Sequence, residues 1–259
     1  MNANKNGDGC GADPLVVLPG LLCDSRMFQS QIRTFGAKVI DGFYGRANRV
    51  EAMADFALEQ MPGRCVLLGH SMGARVALEV WRKAPERVSR LVLCDTGVHP
   101  VRDGEARQRY ALRDVGRAGG SEALVDAWLP PMIGPARRDD PALLSLLRPM
   151  CIDAGTSVYE VQIEALLSRP DAQAVLPTVD CPAIAIVGRE DQWSPVAQHE
   201  AIVAMIRGAE LRVVEGAGHM SPVEQPEAFN QILGAWLVAR HPGAQGNFSN
   251  RNSKTERHI

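Results

Sequence analysis

The chain has 259 residues, 46% hydrophobic and 22% charged, with 28 Lys and Arg set against 30 Asp and Glu. That is the balance of an ordinary globular chain, and it leaves no surplus of positive charge to neutralise phosphates, so nucleic acid is not an expected partner. No apolar run approaches the roughly 20 residues of a membrane span, so no membrane partner is expected. The opening MNANKNGDGCGAD is polar rather than a secretory signal, which makes the cytoplasm the expected compartment.

Residues 1–12 and 241–259 are rich in Gly, Asn, Ser and charge and are expected to be disordered; the sequon at Asn247 in the second of them reads as coincidence. Between them, short apolar runs alternate with amphipathic stretches. PLVVLPG precedes a helical pattern over 25–34, KVI precedes 49–60, RCVLLG precedes 73–84, and VSRLVLCD follows. The alternation then lapses. Residues 98–178 carry helical patterns at 105–117, 121–128, 141–152 and 157–167, broken by prolines, with no strand among them. It resumes with PAIAIVG, a helix over 195–206, AELRVVEG, and a helix over 224–239. Each parallel step needs a crossover, so this order predicts an α/β fold with a doubly wound, mostly parallel sheet. The core is expected over 13–97 and 179–240, with 98–178 as a helical insertion between two of its strands.

The sharpest motif is Gly69-His70-Ser71-Met72-Gly73, an apolar run meeting G-x-S-x-G and then an amphipathic helix. A strand-to-helix turn that tight gives its serine strained backbone angles, and glycines two residues to either side leave it room. A serine hydroxyl is a poor nucleophile at neutral pH and needs a base, which in turn needs an orienting acid. Two later strands end in Gly188-Arg189-Glu190-Asp191 and in Gly216-Ala217-Gly218-His219. Loops at the carboxyl ends of parallel strands converge on one edge of the sheet, so Ser71, Asp191 and His219 can meet there as nucleophile, acid and base.

Among the other histidines, His241 and His258 lie in or beside the tail, His199 in a helix, His99 at the start of the insertion, and His70 points away from Ser71. Asp95, also at a strand end, is the reserve acid, and Glu190 reads as a surface residue. Acyl transfer further needs two N–H donors for the developing oxyanion. Met72 follows the nucleophile, and Leu21 in Leu18-Pro19-Gly20-Leu21-Leu22 follows the first core strand; these two backbone groups are the expected oxyanion hole.

The six cysteines, Cys10, Cys23, Cys65, Cys94, Cys151 and Cys181, form no C-x-x-C pair or zinc spacing and read as reduced and mostly buried. No metal site and no organic cofactor are expected. The arginines at 102, 107, 109, 113 and 117 are interleaved with Asp103, Glu105 and Asp114 and read as a solvated helix face.

With these motifs in view, the chain resembles serine members of the α/β-hydrolase superfamily, similar to the capped esterases and enol-lactonases. The likeness covers about 13–240 and rests on LPGLLCD, GHSMG, GREDQWSP and GAGHMSPVEQP. It implies Ser71 as nucleophile, Asp191 as acid, His219 as base, Leu21 and Met72 as oxyanion donors, and 98–178 as the cap. The chain has Pro19-Gly20 where many relatives have His-Gly. Serine at 71 sets it apart from relatives that need a carboxylate nucleophile. The expected activity is hydrolysis of a carboxylic ester, lactone or thioester of a small-molecule substrate. Alternatives are a hydrolase of carbon–carbon bonds in a diketone-like compound and a non-catalytic small-molecule binding protein on the same fold. Apolar cap residues, among them Trp128, Met132, Leu143 and Leu147, suggest a partly greasy pocket, about half of them packing the cap instead. The near-neutral charge suggests a mostly uncharged substrate.

Overall fold

The computed structural model describes residues 13–239; the two segments expected to be disordered, with Cys10, Asn247, His241 and His258, lie outside them. Six strands form one sheet: β1 (Leu15–Leu18), β2 (Lys38–Val39), β3 (Cys65–His70), β4 (Val88–Cys94), β5 (Ala183–Gly188) and β6 (Glu210–Val214). Their order is β2-β1-β3-β4-β5-β6, and every neighbouring pair is parallel. LVVL of β1, CVLLGH of β3 and AIAIVG of β5 are buried along their whole length, because helices cover both faces of the sheet. β6 lies at the edge and is mostly half-exposed.

The crossovers are α1 (Gln29–Phe35), α2 (Val50–Gln60), α3 (Met72–Lys83) and α6 (Val196–Met205). The first starts as a 3-10 turn over Ser25–Phe28, where the Asp24 side chain accepts the Arg26 N–H. The pattern expected over 224–239 is instead α7 (Ser221–Glu224) followed by α8 (Pro226–Val238). Gln225, at φ −133° and ψ 64°, separates them, because Pro226 crowds the residue before it out of the helical region.

Between β4 and β5 the chain forms α4 (Glu105–Trp128) and α5 (Pro141–Leu167), packed on one another, with no strand among the described residues. Each long helix breaks at a glycine with positive φ, Gly120 (78°) and Gly155 (84°). That is why each reads as two helical patterns in sequence. No helix among the described residues is long and apolar enough to cross a membrane.

Register brings the strand ends together. Leu18 pairs with Gly69, His70 with Cys94, Cys94 with Ile186 and Gly188 with Val214, so the loops that follow open on one edge. Two glycines make that edge possible. A Cβ on Gly73 would overlap the Leu18 carbonyl, and one on Gly69 would overlap the backbone of Ala74. Gly73→Ala should therefore cost about 3 kcal/mol or more in urea unfolding. Gly63→Ala, which meets nothing within 4 Å, should leave the midpoint nearly unchanged. Equal midpoints for the two variants would contradict this packing.

Candidate active site

Ser71 stands between β3 and α3 at φ 54° and ψ −116°, a conformation that costs a non-glycine residue roughly 1–3 kcal/mol. Neighbouring strand ends hold it there. Its N–H donates to the Cys94 carbonyl at 2.8 Å, and its own carbonyl accepts from the Thr96 hydroxyl at 2.9 Å.

The structure brings Ser71, His219 and Asp191 into one hydrogen-bonded chain. Ser71 Oγ lies 2.8 Å from His219 Nε2, and His219 Nδ1 lies 2.8 Å from Asp191 Oδ2. A carboxylate can only accept, so Nδ1 carries the proton and Nε2 is left to accept from the serine hydroxyl. Asp191 Oδ1 accepts the N–H groups of Trp193 and Ser194, both at 2.8 Å. Burial works against the Asp191 charge, but His219 and these two N–H donors hold the carboxyl below its ordinary value. Burial alone would likewise lower His219; the Asp191 carboxylate outweighs it, with Asp95 and Glu224 adding, and the imidazole is raised.

Around this chain lie supports that motif reading did not find. Glu224 is fully buried and accepts three backbone N–H groups, from Gly218 (3.0 Å), Met220 (3.0 Å) and, across in the inserted segment, Gly134 (2.8 Å). The His219 N–H donates to the Met132 carbonyl at 2.9 Å, so the histidine loop is bolted to the insertion. His70 is buried against His219, with Nε2 donating to the His219 carbonyl at 2.8 Å. Burial, with His219 beside it, lowers His70 to about 3 and keeps it neutral. In sequence, Glu224 sits in Ser221-Pro222-Val223-Glu224, which reads like any helix start.

Asp95 is not in contact with the imidazole nitrogens through any hydrogen bond among the described residues. Its Oδ2 accepts from the Ser221 hydroxyl (2.6 Å) and N–H (3.1 Å), and its Oδ1 accepts from Gly188 N–H (2.9 Å). It ties the loop of His219 to the end of β5. Burial, with Asp191 nearby, raises its carboxyl. Glu190, expected at the surface, is half-buried, with Oε2 enclosed. His199 is buried and neutral, lowered to about 4 by burial, and accepts the Thr96 N–H at 2.9 Å.

Leu21 and Met72 are buried and line a cavity of about 380 Å³ together with Ser71 and His219. The Leu21 loop is supported from two sides. The Tyr44 hydroxyl donates to the Pro19 carbonyl at 2.7 Å, and Leu22 N–H donates to Gln162 Oε1 of α5 at 2.9 Å. Gly20 faces Ser71 and His70 closely, since a Cβ there would lie 3.1 Å from Ser71 Cβ and 2.8 Å from His70 Nδ1.

Of the apolar residues in the insertion, Trp128 and Met132 reach the cavity, while Leu129, Ile133, Leu143, Leu147 and Met150 are buried in the core. The arginine cluster divides. Arg117 pairs with Glu160 and Arg113 with Asp114 away from the cavity, but Arg102 and Arg109 line it, together with Arg75 and Arg169. The expected solvated face is thus also part of the cavity wall, because the helix start at Glu105 turns its first residues over the pocket.

A model of the alpha/beta hydrolase family matches residues 15–232, and the chain belongs to that family. It is similar to a putative carbamate hydrolase, RutD, of Yersinia enterocolitica, with 25% identity over 88% of each chain. It also shares 27% identity with a putative 2-succinyl-6-hydroxy-2,4-cyclohexadiene-1-carboxylate synthase of Bacillus subtilis, over 86% of this chain and 84% of that one. A thermophilic esterase from Thermogutta terrifontis superposes with a TM-score of 0.77 at 27% identity, covering 88% of this chain and 89% of that one. The enol-lactonase of Burkholderia xenovorans LB400 superposes at 0.76 with 23% identity, covering 90% and 94%, a likeness of fold.

Replacing Glu224 by Ala strands three buried N–H groups, at a cost of about 3 kcal/mol. Thermal unfolding should fall by roughly 6–12 °C in a chain of this size. An unchanged melting temperature would show that the glutamate does not hold this corner.

Proposed function

We propose that this chain is a serine hydrolase that opens a carboxylic ester, lactone or thioester through an acyl-enzyme on Ser71. The observation that carries the proposal is the unbroken chain from Asp191 through His219 to Ser71, ending on a strained serine at the cavity. Ser71 Oγ attacks the carbonyl carbon while its proton passes to His219 Nε2. The backbone N–H groups of Leu21 and Met72 take the negative charge that develops on the carbonyl oxygen. Collapse breaks the bond to the leaving group, which departs with the proton from His219. A water molecule gives a proton to His219 Nε2 and attacks the acyl carbon; the bond from that carbon to Ser71 Oγ breaks, Oγ takes the proton back from His219, and the carboxylic acid leaves. The inserted helices close over the site as its cap. The five free cysteines among the described residues favour a reducing, cytoplasmic setting.

Aryl-ester turnover tests the roles of the acids. Ser71→Ala should abolish it, and Asp191→Asn should lower kcat by about 10³–10⁴-fold. Asp95→Asn should act mainly on stability; if it cost more turnover than Asp191→Asn, the acid would be misassigned. His219 works as a base only when neutral, so activity should rise with pH through a midpoint above the ordinary histidine value. Replacing Asp191 by Asn removes the charge that raises the imidazole, so the residual activity should rise at lower pH. A limb that stayed in place would contradict the pairing.

A further inference from the structure

Arg75 lies one turn of α3 beyond Ser71, on the wall of the same cavity, and is 8% exposed. Its Nη2 donates to the His99 carbonyl at 3.1 Å, while Nη1 is buried without a partner among the described residues. The carboxylates that could neutralise it are already engaged. Glu105 takes Arg169 on both oxygens at 2.7 Å and Arg109 at 2.9 Å, and Glu79 takes Arg82 at 3.0 Å. Arg169 also donates to the carbonyls of His99 and Pro100, which fixes the group that Arg75 leans on. The cavity wall therefore carries the guanidinium groups of Arg75, Arg102, Arg109 and Arg169 against only two carboxylates, Asp103 and Glu105.

A guanidinium buried without a counter-ion is costly, and breaking such a charge free of its partner is among the larger penalties in a protein. A carboxylate on a ligand supplies two oxygens that match the planar fork and cancel that charge. Resting on the hydrolase reading above, we propose that the cavity contains a carboxylate subsite centred on Arg75, and that the substrate is an ester or lactone bearing a second, free carboxylate. Arg75 holds the free carboxylate and so places the reacting carbonyl at Ser71; Arg102 and Arg109 add attraction at the wall. The chain's near-neutral total does not conflict with this, since it sums a whole surface and says nothing about one wall of a pocket. The small cavity suits a short dicarboxylic half-ester better than a polyanion.

The test compares 4-nitrophenyl hydrogen glutarate with its neutral methyl ester at pH 7 in wild type, Arg75→Met and Arg75→Lys. Wild type should favour the anionic ester in kcat/KM by about 10–100-fold, the range of a charge-assisted pair. Arg75→Met should lower that ratio at least tenfold, chiefly through KM of the anionic ester, and Arg75→Lys should fall between. Glutarate, which has no bond to cleave, is titrated calorimetrically in parallel. It should bind wild type and Ser71→Ala alike and bind Arg75→Met at least tenfold more weakly. If neither ester is cleaved while glutarate binds through Arg75, the hydrolase reading fails and the subsite stands. A wild-type ratio near one, or a ratio unmoved by Arg75→Met, overturns the subsite, and the wild-type ratio decides even if the methionine variant does not fold.

Discussion

A serine held at φ 54° and ψ −116° can stand at the tip of a strand only where nothing crowds the turn on either side. Gly69 and Gly73 provide that clearance, and Gly73 does so by letting α3 sit directly on the end of β1. The same contact brings the Leu21 loop against His70 and Ser71. The strained turn therefore sets the spacing of β1, β3 and α3, and the other loops are arranged around it.

His219 is the second centre of the arrangement, and three buried carboxylates surround it with different duties. Asp191 bonds its ring and keeps its charge, aided by two backbone donors. Asp95 and Glu224 bond the backbone and hydroxyl of the histidine loop instead, and burial pushes both carboxyl groups upward. Hydrogen bonding thus separates one carboxylate that orients the imidazole from two that fix its loop. Because Glu224 also accepts the Gly134 N–H and the His219 N–H donates to the Met132 carbonyl, the segment between β4 and β5 is anchored at the histidine itself.

Much of this was legible in the residues. The alternation of apolar runs and helical patterns marks every strand of the sheet, and the three strand-end motifs point to residues that meet in space. The supports were not legible, for physical reasons. Gln162 bonds Leu22 from 140 positions away, and Tyr44 holds the Pro19 carbonyl through a hydroxyl at the end of an otherwise apolar ring. Neither carries a periodic or local signature. Arg75 belongs to no motif in the sequence, and its enclosure comes only from residues far along the chain, such as His99 and Arg169, folding over α3. The break at Gln225 was available from Pro226, whose effect on the preceding residue interrupts the helical pattern.

Intact-protein and peptide mass spectrometry after treatment with a fluorophosphonate tests the central claim most directly, because the reagent reacts much faster with a base-activated serine than with an ordinary hydroxyl. A single adduct on the peptide containing Ser71, absent in Ser71→Ala, is the predicted result. A folded wild-type protein that takes up no adduct, or takes it up elsewhere, would contradict a nucleophile at Ser71.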